Sequence, residues 1–98
     1  MKKKMEKNEY ELKIEDIESL IQEARDSGYP VVSLLSDGKI GHYFDRQTRE
    51  MDGTRPLITL EKTEVIEYFE DGVVSWDDFV LQYAQEIWDN FDWNTEGQ

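Results

Sequence analysis

The segment Tyr29–Asp45, YPVVSLLSDGKIGHYFD, decides the fold class. Val31, Val32, Leu34 and Leu35 form a β-rich apolar run, and Asp37-Gly38 suits the positive φ angles of a tight hairpin turn. Ile40, Tyr43 and Phe44 then resume the apolar pattern. Upstream of this hairpin, Ile14, Ile17, Leu20, Ile21 and Ala24 recur at helical spacing before Gly28, which predicts a helix over 14–27. Downstream, PLITL (Pro56–Leu60) reads as a third strand, with proline at its start where a missing N–H is tolerated. The polar stretch between them, RQTREMDGTR, fits either a loop or a second ribbon turning at Asp52-Gly53.

The C-terminal third returns to helical periodicity. Thr63 is placed to cap a short helix over 64–71 that buries Val65, Ile66 and Phe69 and stops at Gly72. Ser75 and Asp78 then approximate a capping box for a final helix, along which Trp76, Phe79, Val80, Tyr83, Ala84, Ile87, Trp88 and Phe91 recur at three- and four-residue steps. The expected fold is α+β: an N-terminal helix, an antiparallel three-stranded sheet and two C-terminal helices. Residues 1–13 are expected to form a mobile basic tail, and 14–98 a single domain.

Charge is distributed unevenly. The chain carries −12 overall, but residues 1–13 hold five lysines against three glutamates, so the remainder carries −14. After Lys62 there is no Lys or Arg for 36 residues, while Glu64, Glu67, Glu70, Asp71, Asp77, Asp78, Glu86, Asp89, Asp92 and Glu96 supply ten negative charges. Such a field repels nucleic acid and anionic membrane and attracts a basic surface. An aromatic content of 12% in clear periodic segments argues for a folded chain. Without cysteine, a disulfide framework and thiolate metal sites are excluded. MKKKMEKNEYELK has a basic start but no following apolar run, so it does not read as a secretory signal, and the expected location is cytoplasmic.

On the last helix the aromatic stripe and the acids separate. At about 100° per residue, Trp76 to Phe91 face the core, while Asp78, Gln82, Gln85, Glu86 and Asp89 lie opposite. Glu86 and Asp89 are about 5 Å apart along the axis, and Asp78 and Asp89 about 16 Å. Like charges at such spacing weaken a helix, and Asp89 and Asp92 sit at the end where the macrodipole disfavours anions. Stability alone would have mixed in lysine, so the conflict points to function.

Duplex DNA presents one charge per about 1.7 Å of axis, and a rigid row of carboxylates overlaps its phosphate separations. The expected role is therefore that of a non-catalytic binding protein that blocks the nucleic-acid site of a basic partner, such as a nuclease, by charge mimicry. The expected contact residues are Glu64, Glu67, Tyr68, Glu70, Asp71, Asp78, Asp89, Asp92 and Trp93. In length, acidity, lack of cysteine and element order, with GYPVVSLLSDGKIGHYFD and TEVIEYFEDGVVSWDDF as the corresponding portions, the chain resembles small phage-encoded anti-CRISPR proteins. That resemblance implies a basic nuclease, recombination, repair or transcription protein of a bacterial host as partner. The alternatives are an immunity protein for a nuclease toxin, which is acidic for the same electrostatic reason, and an acidic soluble protein with an unrelated interaction role.

Catalysis is not expected. His42 is the only histidine, Ser33 and Ser36 sit in no nucleophile elbow, and SDGKIG lacks phosphate-loop spacing. Asp77 and Asp78 point about 100° apart on a helix, and no calcium-loop spacing occurs. No cofactor or metal is expected. Arg46, Arg49 and Arg55 are expected to pair with acids of the chain itself.

Overall fold

Val31, Val32, Ser33 and Leu34 are all buried, which is the mark of a strand covered on both faces. The computed structural model, which describes residues 12–54 and 56–91, places them in β1 (Val31–Leu35), the central strand of a three-stranded antiparallel sheet. β2 (Ile40–Tyr43) lies on one side and β3 (Pro56–Glu61) on the other. Val32 stands opposite His42 and Leu60, and Leu34 opposite Ile40 and Ile58. Alternation along the strand therefore sends Val32, Leu34 and Leu60 to one face and Val31, Ser33 and Tyr43 to the other. A bulge between Leu34 and Leu35 shifts the pairing to Pro56, and both Leu57 and Ile58 pack against the core.

The β1–β2 connection is the hairpin expected from Asp37-Gly38. Gly38 adopts φ +88°, its N–H donates to Leu35 O at 2.9 Å, and the Asp37 carboxylate accepts from Lys39 N at 3.0 Å. Only glycine takes that conformation without strain.

Three helices cover the first face of the sheet. α1 (Ile14–Asp26) buries Ile17, Leu20, Ile21 and Ala24, and its first turn is held by Lys13 N donating to the Asp16 carboxylate at 2.8 Å. α3 (Lys62–Asp71) contributes the fully buried Val65, and α4 (Trp76–Asn90) contributes Phe79, Val80 and Ala84. α1 packs on β1, β3, α3 and α4. The helix–sheet–helix arrangement is the α+β architecture expected from the sequence. Leu12 also belongs to the core, so the fold starts before residue 14; the rest of the expected tail, residues 1–11, lies outside the described residues.

Two local expectations are corrected. Residues 46–50 are neither loop nor ribbon but a short helix, α2 (Arg46–Glu50), capped by Asp45, whose carboxylate accepts from Thr48 N at 2.7 Å. That bond holds the Asp45 carboxyl below its ordinary value. The segment packs on the second face at the edge strand β2. Arg49, only 6% exposed, sets its guanidinium 5.4 Å from the Tyr43 ring centroid and donates to Thr54 Oγ1 at 3.2 Å. Tyr43 Oη donates to Asp52 Oδ2 at 3.0 Å, and Thr54 Oγ1 donates to the same oxygen at 2.6 Å. The second correction concerns Thr63, which caps nothing. β3 runs directly into α3, with Glu61 at the cap position and Lys62 N donating to Pro30 O at 2.9 Å, so the helix starts before Thr63.

Candidate functional site

The site begins with the way α3 and α4 are joined. α3 ends at Gly72, Val73 and Val74 form the connection, and Ser75 starts α4 by accepting Asp78 N on its hydroxyl at 3.2 Å. Val73 is 99% exposed. So short a link brings the start of α4 to the end of α3, and a row of rings joins the two helices. Trp76 meets Phe69 edge-on at 5.1 Å between centroids, Phe69 and Trp76 both pack on Phe79, Phe79 meets Tyr83 at 5.3 Å, and Tyr83 meets Tyr68 at 5.5 Å and 64°. The row runs from the α1 side of the core outward to Tyr68, which is 53% exposed.

At its outer end the seam opens into a groove of about 470 Å³, lined chiefly by Tyr68, Val73, Val74, Gln82, Tyr83 and Glu86. A shallower surface continues from it along α4 over Leu81, Gln82, Gln85, Glu86 and Asp89. The half-buried Tyr83 phenol is pushed up to about 12, first by burial and then by the charges of Glu64, Tyr68 and Glu86. Glu64 on α3 and Glu86 on α4 thus both act on the same hydroxyl. A negative field of this kind disfavours any further anion and favours a cation.

The sequence-predicted contact residues are distributed as follows. Glu64, Glu67, Tyr68, Glu70 and Asp71 are all exposed on α3, and Asp78 and Asp89 on α4. Glu64, Tyr68 and Asp71 fall on one stripe beside the groove, whereas Glu70 lies about 200° round the helix from Tyr68 and belongs to another face. Asp78 and Asp89 flank the α4 acids at either end, and Asp89 accepts a bond from Gln85 Nε2 at 2.9 Å. Asp92 and Trp93 lie outside the described residues. Tyr83, Glu86, Val73 and Val74 were absent from the predicted set, although two exposed valines between a helix-ending glycine and a capping serine were a signal available in the sequence.

The remaining candidates resolve into local structure. His42 bonds Glu23 of α1 at 2.7 Å and lies 5.5 Å from the Tyr29 ring. Ser33 shares a cross-strand hydrogen bond with Thr59 at 2.8 Å. Arg46 pairs with Glu61, and Arg49 lies 3.7 Å from Asp52, so both described arginines of that segment are used internally; Arg55 lies outside the described residues. Among the described residues no group of three or more His, Asp or Glu side chains is arranged to hold a metal, and no helix is long and apolar enough to cross a membrane.

No family model matches the chain, and no curated protein or solved structure matches it significantly, so its function is argued from the acidic groove itself.

Proposed function

We propose that this chain is a non-catalytic acidic binding protein whose α3–α4 surface occupies the nucleic-acid site of a basic partner. One observation carries the reading: α3 and α4 both expose carboxylates, Glu86 lines the aromatic groove where the two helices meet, and the chain carries no Lys or Arg after Lys62. A basic groove built for phosphates gains long-range attraction from such a surface and fast association at low salt. Arg46 and Arg49 are paired internally with Glu61 and Asp52, away from the exposed acids of α3 and α4. In its narrowest form the reading is an inhibitor of the anti-CRISPR type, supported by charge and element order.

A second reading, immunity to a nuclease toxin, is favoured by the groove itself. Tyr68, Val73 and Val74 offer apolar contact that a backbone mimic does not need, and partly exposed aromatics are the usual anchors of tight protein interfaces. Both readings place a basic nucleic-acid enzyme on the same surface.

The test is capture from nuclease-treated bacterial lysate on the immobilised chain, washed at low and then high salt and repeated with competing duplex DNA. A basic nucleic-acid enzyme held at low salt and displaced by DNA supports the reading. Partners indifferent to both salt and DNA contradict it.

A further inference from the structure

We propose that the groove between α3 and α4 is a receptor for one arginine side chain of the partner, with a neighbouring apolar side chain on Val73 and Val74. This deepens the proposed function and rests on it for the identity of the partner. The guanidinium would lie against the exposed Tyr68 ring, with Glu64 and Glu86 as its counter-ions.

Three observations lead there. First, the groove joins an apolar end to a charged one: Val73 and Val74 are exposed beside Tyr68, and Glu86 lines the opposite wall. Second, the chain itself stacks guanidinium groups on two of its rings. Arg25 lies 4.4 Å from the Trp76 ring centroid and Arg49 lies 5.4 Å from that of Tyr43. Among the described residues no arginine or lysine lies over Tyr68, the most exposed ring of the seam, or over its neighbour Tyr83. Third, Glu86 on α4 lines the groove and Glu64 on α3 stands one helical turn before Tyr68 on the same stripe, so each helix carries a carboxylate near the exposed ring.

Charge complementarity selects a cation, and the flat ring selects its kind. A guanidinium is planar and weakly hydrated, stacks on aromatic faces and presents a fork of donors to carboxylates, whereas an ammonium is a compact and strongly hydrated point charge. An anion is disfavoured by every charged residue around the groove.

The experiment is a titration of the isotopically labelled full chain with the blocked tripeptide acetyl-Leu-Arg-Leu-amide, followed by amide chemical shifts, with the citrulline peptide as the uncharged isostere. Saturable shifts confined to Tyr68, Val73, Val74, Gln82 and Tyr83, absent with citrulline, are expected. Tyr68→Ala and the isosteric pair Glu64→Gln with Glu86→Gln should each weaken binding roughly fivefold or more. Equal shifts around the acids of α1, or equal binding of the citrulline peptide, would overturn the proposal. The two levels separate cleanly: a Tyr68→Ala chain that still captures a DNA-displaced partner while the peptide fails to bind wild type removes the groove alone. Peptide binding without any DNA-displaced partner instead removes the mimicry.

Discussion

Trp76 donates its indole N–H to the Gln22 side-chain oxygen at 2.9 Å, joining the first turn of α4 to the middle of α1 across 54 positions of sequence. Arg25, one turn further along α1, lies over the same ring. The residue that opens the aromatic seam is therefore also the one that fixes where the acidic face of α4 sits. Trp76→Ala should cost about 3 kcal/mol, through lost burial and the orphaned Gln22 oxygen, and Trp76→Phe about 1 kcal/mol. Urea denaturation followed by circular dichroism measures both.

Two acids of one stripe should respond oppositely to neutralisation. Asp78 is the third residue of α4, at the end where the helix dipole favours an anion, and Asp89 is next to last, where it does not. Asp78→Asn should lower stability by about 0.5 kcal/mol and Asp89→Asn should raise it by a similar amount. Thermal unfolding of the two single variants and the double variant distinguishes them; the double should sit near wild type.

Gly41 is required by space. A Cβ there would lie 2.3 Å from Tyr43 Oη, because the phenol folds back over the glycine to reach Asp52. Gly41→Ala should destabilise the chain by on the order of 2 kcal/mol, and Tyr43→Phe should remove one of the hydroxyls that hold Asp52 while its ring carbons still stand within 2.9 Å of a Cβ at position 41. Denaturation midpoints and the Asp52 titration report the two effects separately.

Titration should show two shifts of opposite sense. Thr54 and Tyr43 hydroxyls, and then Arg49, hold the Asp52 carboxyl below its ordinary value of 3.8. Its contribution to stability is present above that value and is lost as pH falls through the folded-state value. Tyr83 is raised to about 12 from 10.0, so the stability tied to its neutral phenol is present below pH 10 and lost as pH climbs toward 12. Carbonyl-labelled NMR should find Asp52 titrating below an Asp52 peptide reference. Phenolate absorbance should find a late-titrating component that is lost in Tyr83→Phe and earlier in Glu64→Gln.

Much of this architecture is written in local pattern, and the exceptions have physical causes. The hairpin at Asp37-Gly38, α1 and α4 are each set by short-range periodicity and turn chemistry, and each formed near its expected bounds. α2 was not legible because RQTRE has no apolar residue; its helix depends on the Asp45 cap and on Arg49 docking against Tyr43, a contact between segments. Thr63 looked like a cap because strand and helix were expected to be separated, whereas Lys62 N bonds to Pro30 and lets one run into the other. The acids of the site were visible as charge. The groove was not, since Tyr83 appears in the sequence only as another member of the core stripe, and its meeting with Tyr68 requires α3 and α4 to be docked.

The most direct test of the central claim is a salt series of partner binding with wild type and a variant carrying Glu64→Gln, Asp78→Asn, Glu86→Gln and Asp89→Asn, using the DNA-displaced enzyme from the capture experiment. Wild type should compete with duplex DNA for that enzyme at low salt and lose affinity steeply as salt rises, and the variant should bind at least roughly tenfold more weakly with a flatter salt dependence. Equal affinity of the two proteins across the series would contradict the assignment of the α3–α4 acids as the partner surface.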